Sequence, residues 1–278
     1  MYSSRRAAIV PLMVALALLA GTVCADADPF TPNCTLPWQP IAKKHAIDNT
    51  CGLEGEGSTA KHLAQNRAKN ELCASGVPVT LTYQTFKRLQ QAVEDQNIPH
   101  GRNNLPNDRT PLQNIITVNG QPIGEGTLVR HVAFITHAKY SNTSGGESVN
   151  CKKSGQASND IHVELAQQHN QQACRTITAE IIPHFRPKEW EVAQLNQIRD
   201  RNPVRITGHL LFDAAHRPCD GDTPRESLKR ASTWEIHPAY AIDVCVNTTI
   251  ASCLANNDTK WVPLHNWVNS EQEEADDQ

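Results

Sequence analysis

The chain has 278 residues, of which 39% are hydrophobic and 20% charged, and its formal net charge at pH 7 is -3. A chain of this length can bury a substantial core, and its charge balance excludes a global basic field that would attract nucleic acid. Five of the last eight residues, Glu271–Gln278, are acidic, a pattern typical of a solvated tail.

The first residues contain the parts of a secretory signal. The pair Arg5-Arg6 precedes the apolar run Ala7–Ala20, and small residues ending in Ala25-Asp26-Ala27 provide a cleavage signal. The apolar run is shorter than the roughly 20 residues that a transmembrane helix needs. We therefore expect residues 1–27 to be a signal peptide, the mature chain to lack a transmembrane segment, and the protein to be secreted or periplasmic.

Cysteine usage agrees with export. The chain has nine cysteines, and Cys24 lies in the predicted signal peptide, which leaves eight. An even number in an oxidising compartment predicts four disulfides, and the lack of a Cys-x-x-Cys pair argues against a zinc ribbon or redox site. Proximity in the chain favours the pairs Cys51–Cys73, Cys151–Cys174 and Cys245–Cys253. The eight cysteines are Cys34, Cys51, Cys73, Cys151, Cys174, Cys219, Cys245 and Cys253.

Residues 28–113 are predicted to form an N-terminal irregular and helical segment. Residues 28–57 are rich in Pro, Asn and Gly, which favours irregular structure. A first helix is predicted after an N-cap at Ser58, and a second after Thr82. The apolar residues at helical spacing are Ala60, Leu63, Ala64, Ala68 and Leu72 in the first helix and Phe86, Leu89 and Val93 in the second. The two helices are expected to form a small subdomain or a lid over the following domain.

From residue 114 the pattern is that of strands. A helix after Pro187 separates the third strand from the fourth. This order is the plan of the OB fold, a five-stranded Greek-key barrel, although a single-sheet α+β domain has the same order. We therefore predict a mainly β fold, with an OB-like barrel at residues 114–255 and a C-terminal extension with the acidic tail at 256–278. The predicted strands are Thr127–His137, Asp160–Leu165, Ile177–Ile182, Val204–Asp213 and Ala231–Val246.

Several short segments resemble a family of secreted bacterial proteins that has no established activity. The resemblance covers roughly residues 51–246 and includes a Trp-Glu-Ile-His-Pro element. It implies export from a bacterial cell and gives no residue a role. The segments are Gln65-Asn-Arg-Ala-Lys-Asn70, Gly146-Glu-Ser-Val-Asn-Cys151, Asn159-Asp-Ile-His162, Thr178-Ala-Glu180, Pro183-His-Phe-Arg-Pro187 and Trp234-Glu-Ile-His-Pro238.

The ligand face of an OB barrel lies across its second and third strands, beside the loops after the first and fourth. Strict alternation in the second predicted strand places Asp160, His162 and Glu164 on one face. We expect the ligand on this face. The candidate ligand-binding residues are Asp160, His162, Glu164, Phe185, Arg186, Lys229 and Arg230, and the candidate catalytic residues are Glu180, His184 and Arg186.

Charged residues in two loops are candidates for a basic rim around this face. Lys229 and Arg230, with Arg225, would hold a phosphate or sugar acid across from Lys152 and Lys153. Solvated loop charges are the alternative. Phe185 is the candidate for stacking on a base or sugar, whereas Trp234 alternates away from Glu235 and is predicted to be core.

Two strands pair a carboxylate with an imidazole two residues apart. Asp160 with His162, and Glu235 with His237, are candidate ligands of a divalent metal such as Zn or Ca. Structural hydrogen bonds and ion pairs in the barrel wall are the alternative. The string at residues 220–223, Asp-Gly-Asp-Thr, resembles part of a thermonuclease motif, but its place in the last loop favours an ordinary turn.

Three functions remain open from the sequence. The leading one is an exported OB-like protein that binds an extracytoplasmic oligonucleotide, oligosaccharide or protein; the net charge gives nucleic acid no support. The alternative is a metal-dependent secreted nuclease or phosphodiesterase that uses the cluster of Asp160, His162, Glu180 and His184. The third is a structural envelope protein. The chain has no G-x-S-x-G element, P-loop or dinucleotide fingerprint.

Overall fold

The computed structural model describes residues 34–254 and 258–268, so the predicted signal peptide and the acidic tail lie outside the described residues. The α-helices are α1 (Ala60–Lys69), α2 (Tyr83–Asp95), α3 (Val192–Gln197) and α4 (Ile250–Leu254), and residues 264–268 are also helical. The strands are β1 (Val79–Leu81), β2 (Ile116–Val118), β3 (Gln121–Ile123), β4 (Leu128–Tyr140), β5 (Ile161–Ala166), β6 (Ile177–Ile181), β7 (Val204–Phe212), β8 (Trp234–Cys245) and β9 (Trp261–Pro263).

Five strands close into the predicted OB-like barrel. Strand β4 pairs with β5, β5 with β6, β7 with β8 and β4 with β7, all antiparallel. A short parallel pairing between β6 and β8 closes the circle. The mainly β fold and the strand order β4-β5-β6-β8-β7 are therefore confirmed, with short extra strands at the edges.

Alternation along the strands separates an apolar interior from a polar outer face. In β5, Val163 and Leu165 point inward and are buried, as are Ala179 of β6 and Ile236 of β8. The residues that alternate with them along the strands include the acidic residues and histidines of the predicted ligand face. Most of these residues are also buried, and Glu164 is half-buried, so a further layer covers most of this outer face of the barrel.

The N-terminal segment is joined to the barrel sheet. Strand β1 pairs in parallel with β4, and α2 begins after Thr82, whose hydroxyl accepts a hydrogen bond from the Thr85 backbone N–H, as the cap prediction requires. The predicted apolar stripe of α2 is fully buried; it comprises Phe86, Leu89 and Val93.

Helix α1 differs from its prediction in both bounds and buried face. Its N-cap is Thr59, not Ser58, and it ends at Lys69, before Leu72, the last residue of the predicted apolar series. The helical side chains that it buries are Gln65 and Asn66, not the apolar series. The reason is that α1 covers a polar surface of the barrel, so its polar side chains point inward.

The predicted helix after Pro187 is split into two pieces. A 3-10 turn, Lys188–Trp190, is followed by extended Glu191 and only then by α3. The Glu191 carboxylate accepts hydrogen bonds from Arg186 Nε (3.1 Å) and Tyr140 Oη (2.7 Å), which holds this residue outside a helix. Trp190 of the 3-10 turn and Leu195 of α3 are buried in the core.

Four disulfides are present among the described residues, as predicted, but two of the three favoured pairings are wrong. Only Cys245–Cys253 is confirmed. The other three bridges join residues far apart in the chain, because the fold brings the N-terminal segment and the long loops together. They are Cys34–Cys73, Cys51–Cys151 and Cys174–Cys219.

Across the described residues, no helix has both the length and the apolar character needed to cross a membrane.

The buried residue His131 predicts a loss of stability in acid. Its Nδ1 lies 2.8 Å from the Leu81 carbonyl oxygen, and burial lowers its pKa from 6.5 to about 4. Between these values the unfolded chain binds the proton and the folded chain does not, so stability falls as the pH falls. We expect this residue to contribute about 3 kcal/mol of the loss between pH 7 and pH 4.

The measurement is urea unfolding of the wild type and of His131→Gln at several pH values. Glutamine keeps a donor for the Leu81 carbonyl but does not titrate. The free energy of unfolding of the variant should fall less steeply below pH 6.5. Parallel pH profiles would contradict the prediction.

Candidate metal centre beneath helix α1

Strand register brings the candidate residues together on the outer face of the barrel. His162 of β5 lies directly opposite Glu180 of β6. Thr178, two residues before Glu180, lies opposite Glu235 of β8. Because side chains two residues apart share a face of a strand, His237 joins the same face.

This part of the outer face is closed to solvent. Asp160, Glu235 and His237 have no exposed surface, and His162 and Glu180 are 1% and 4% exposed. The cover is α1 with the turn at Ser148–Asn150: Asn150 Nδ2 donates to Asp160 Oδ1 at 3.1 Å. The interpretation of the helical segment as a lid is thus consistent with where α1 lies.

Three side chains in this cluster have the geometry of a metal-binding set. Asp160, Glu180 and His237 each offer one ligand atom, and the three atoms lie within 4.8 Å of one another. Ligand atoms around an ion with bonds of about 2 Å are about 3–4 Å apart, so small side-chain adjustments are sufficient to bind one ion.

The imidazole of His237 is oriented for such a role. Its Nδ1 lies 3.2 Å from Glu180 Oε2 and 3.3 Å from Glu235 Oε1, so an Nδ1–H donates to a carboxylate. Its Nε2 lies 3.9 Å from Asp160 Oδ2, and neither atom has a hydrogen-bond partner among the described residues. A carboxylate that fixes the far nitrogen of a ligating histidine is a recurrent feature of metal sites.

The pKa shifts of the clustered carboxyl groups and of His237 all favour the neutral forms of these buried side chains. Burial, together with neighbouring carboxylates, raises the pKa of Asp160 and of Glu180 above the usual range. Burial also raises the pKa of Glu235 to about 7, although Arg230 partly offsets this effect. Burial lowers the pKa of His237 to about 4, so this imidazole is neutral at pH 7, the form that binds a metal.

A second network borders the cluster on the side of β7. The Arg230 guanidinium is fully buried, and its Nη1 donates to Glu235 Oε2 at 2.7 Å and lies 3.6 Å from Asp213 Oδ2. The same Asp213 oxygen accepts from His216 Nδ1 at 2.5 Å, and Gln65 Nε2 of α1 donates to the other oxygen at 2.8 Å. Asp213 holds the pKa of His216 above its ordinary value, which favours the protonated imidazolium at the edge of the site.

Lys69 of α1 is a further cation above the cluster. Burial lowers its pKa, but Asp213, Glu180 and other carboxylates outweigh burial and raise it well above the ordinary value. The helix that covers the site therefore interacts with it through Gln65 and Lys69, its polar side.

Two of the predicted catalytic residues lie apart from the cluster. His184 Nδ1 lies 3.0 Å from Asp48 Oδ1 of the N-terminal segment. Arg186 Nη1 and Nη2 donate to the Asn159 and Gln156 carbonyl oxygens. Glu180 is thus the one candidate catalytic residue that shares the site with Asp160 and His162.

The remaining ligand-binding candidates are not in the centre. Phe185 is half-buried; its backbone N–H donates to Asp48 and its carbonyl accepts from Trp38 Nε1. Glu164 is on the face of His162 but is half-buried, and Lys229 is exposed. Trp234 is core, as predicted.

The basic rim is not formed as predicted. Arg230 is buried rather than placed at a rim, while exposed Arg225 pairs with Asp220 in its own loop at 3.1 Å. The loop string at residues 220–223 is a turn, as expected, with a bridge between Asp220 and Thr223.

Sequence reasoning missed Asp213, Lys69 and Gln65 as parts of the site. Asp213 follows the apolar end of β7, and its histidine partner, His216, is three residues away, so a search for carboxylate–imidazole pairs two residues apart on a strand does not find it. The sequence feature that could have indicated the inward-facing side of α1 is the run of polar residues at Gln65–Asn70. A search for apolar residues at helical spacing does not consider it.

The fold and the site define a disulfide-stabilised, OB-like barrel with a covered carboxylate–imidazole cluster. Comparisons of the chain with protein-family models, with curated proteins and with solved structures found no match. The resemblance to secreted bacterial proteins therefore stays an expectation, and function has to be argued from the site.

Proposed function

We propose that this protein is an extracytoplasmic, OB-like binding protein whose outer barrel face holds a divalent metal ion. Asp160, Glu180 and His237 are the proposed ligands. The observation that carries the proposal is that Asp160 Oδ2 and His237 Nε2, both fully buried and 3.9 Å apart, lack hydrogen-bond partners among the described residues. Buried polar atoms normally have partners, and one cation between these two atoms would satisfy both.

The donor set favours zinc over calcium. Calcium takes six to eight oxygen ligands, whereas an imidazole nitrogen with two carboxylates suits Zn²⁺. His162, with Nε2 3.9 Å from Glu180 Oε1 and no partner among the described residues, is available as a fourth ligand. Glu235 acts as the carboxylate that orients His237.

Closure of the site favours a small ligand. An oligonucleotide or oligosaccharide that crosses an OB barrel needs an open outer face, and here α1 and the turn at Ser148–Asn150 occupy that face. Among the residues around the cluster, His216, whose side chain is 34% accessible, and the half-buried Lys69 keep contact with solvent, and we infer that a small ligand enters beside them.

Zinc should raise the melting temperature of the mature protein. At a zinc concentration about one hundred times Kd, binding adds about 2.7 kcal/mol of stability, or roughly 5–10 °C for a chain of this size. Elemental analysis of the purified protein and thermal scans with zinc, manganese and calcium measure the effect. Metal-free protein whose melting temperature responds to none of these ions would sink the proposal.

Asp160→Asn tests the ligand assignment. Asparagine keeps the shape and an acceptor for Asn150 but loses the charge, and we expect zinc to bind at least about a hundredfold more weakly. The matched control is Asp48→Asn, which removes an equally buried carboxylate that is paired with His184 outside the cluster. Equal zinc affinities in the two variants would show that Asp160 is not a ligand.

Metal-dependent hydrolysis is the second candidate function. It is favoured by the partial exposure of His216 and Lys69, since a water molecule that entered beside them and bound the cation would be a nucleophile at neutral pH. Cleavage of bis(p-nitrophenyl) phosphate by zinc- or manganese-loaded protein tests this activity. Cleavage should disappear with a chelator and in Asp160→Asn; no cleavage with any of these metals rejects hydrolysis of simple phosphodiesters and leaves the binding function.

A further inference from the structure

Arg230 presents an unused hydrogen-bonding edge inside the protein. Its Nη1 is bonded to Glu235, but Nε and Nη2 have no partner among the described residues, although the side chain has no exposed surface. These two N–H groups form one side of the planar guanidinium, the side that binds two oxygens of one carboxylate or phosphate. A fully buried arginine with this edge unpaired is costly unless an anion occupies it.

Two further unpaired groups lie on the same face of the sheet. Thr178 Oγ1 is buried without a partner among the described residues, and Thr178 lies opposite Glu235, the residue to which Arg230 is bonded. Neither ring nitrogen of His162 has a partner there either. His162 lies opposite Glu180, two residues from Thr178 on the same face of the sheet, so His162 and Thr178 are diagonal neighbours.

We propose that Arg230, Thr178 and His162 form an oxyanion subsite beside the metal centre and that the ligand of this protein carries a phosphate group. The guanidinium edge would bind two phosphate oxygens, and the Thr178 hydroxyl and a His162 N–H would donate to the others. The inference rests on the proposed metal function, because the ion would share the ligand.

The charge balance explains why the subsite needs the metal. Arg230 already neutralises Glu235 and lies near Asp213, so an anion added alone would meet the buried carboxylates of Asp160 and Glu180. A divalent ion between those carboxylates removes this repulsion. Phosphate is therefore expected to bind to metal-loaded protein and only weakly to metal-free protein.

The test is calorimetric titration of inorganic phosphate into protein loaded with one equivalent of zinc. Wild type is expected to bind phosphate more tightly than acetate, and Arg230→Lys should weaken phosphate binding by about tenfold to a hundredfold, because lysine lacks the paired edge. Thr178→Val, which has the same shape and no buried charge change, should weaken it by about fivefold to tenfold. Thr178→Val should bind zinc within about twofold of wild type, and the phosphate affinity of Arg230→Lys is measured at saturating zinc, because Arg230 is bonded to Glu235, which orients His237.

Thr136→Val is the matched control, since that hydroxyl already donates to the Glu164 carbonyl oxygen, and it should bind phosphate like wild type. Zinc binding without phosphate binding, equal affinity for acetate and phosphate, or an unchanged phosphate affinity in both Arg230→Lys and Thr178→Val would overturn the inference and leave the metal function intact. Failure to bind zinc would overturn the proposed function itself.

Discussion

Replacement of Cys51 and Cys151 by alanine is expected to lower the free energy of unfolding by about 4–5 kcal/mol. This bridge has the longest sequence separation of the four, 100 residues. Its removal releases the most freedom in the unfolded chain, because the entropy cost of loop closure grows with loop length. Denaturant unfolding of the double variant under oxidising conditions measures the loss.

Cys245 and Cys253 provide the control. That bridge spans a separation of only 8 residues, so the same relation gives a smaller loss of about 2–3 kcal/mol for its removal. Equal losses in the two double variants would mean that strain in the folded protein, rather than loop length, sets the effect.

The variant that lacks Cys51 and Cys151 should also bind the metal ion more weakly than wild type. The Cys51–Cys151 bridge joins the N-terminal segment to the loop that contains the turn at Ser148–Asn150, which covers the site together with α1. In the same region the Glu56 N–H donates to the Ser148 carbonyl oxygen at 2.7 Å, and Ser148 Oγ donates to Asn66 Oδ1 of α1 at 3.2 Å. Without the bridge, α1 and the turn at Ser148–Asn150 are less well ordered in the metal-free protein, and ordering them on metal binding costs free energy. Zinc affinity should therefore fall in the Cys51/Cys151 variant and stay unchanged in the Cys245/Cys253 variant.

The barrel was predictable because local pattern and tertiary position agree there. The alternation Ile161–Val163–Leu165 against His162 and Glu164 follows from a strand that covers a core on one side. The order of five strands with one helix between the third and fourth then leaves few arrangements. Register makes neighbours of His162 and Glu180, and a correct strand phase is sufficient to place both on one face.

Helix α1 was mispredicted because its environment is not apolar. An amphipathic analysis assigns the apolar side of a helix to the core, but the surface beneath α1 is the carboxylate–imidazole face of the barrel. Gln65 therefore points inward to Asp213, and Ala60 is exposed. Only a partner surface known in advance would have reversed that assignment.

The disulfide pairs and the role of Arg230 depend on loops, which local sequence does not position. Proximity in the chain gave Cys51–Cys73, whereas the fold places Cys51 beside Cys151. Arg230 sits in a polar, charged segment that predicts exposure, yet Glu235 and Asp213 draw it inside. Ion pairs between residues at such irregular spacings, five and seventeen positions apart, produce no periodic pattern in the sequence.

Arg230→Met is expected to lower the free energy of unfolding by about 3–5 kcal/mol, because it removes the cationic partner of two carboxylates that have no exposed surface. Glu235 loses a donor at 2.7 Å, and Asp213 loses a cation at 3.6 Å. The matched control is Arg175→Met, which breaks an ion pair with Asp222 whose partners are 56% and 48% exposed. Such surface pairs contribute little, so the control should unfold at the same urea concentration as wild type.

A second substitution distinguishes two causes of this loss of stability, an unpaired buried carboxylate and the loss of side-chain packing. If the cost of Arg230→Met comes from an unpaired Glu235 carboxylate, adding Glu235→Gln should recover about 1–3 kcal/mol, since the amide is neutral and still hydrogen-bonds to His237. If lost packing dominates, the double variant will be no more stable than Arg230→Met. Urea unfolding of the wild type, both single variants and the double variant gives the coupling energy, and a coupling near zero would remove the ion pair as the reason that Arg230 is held inside the protein.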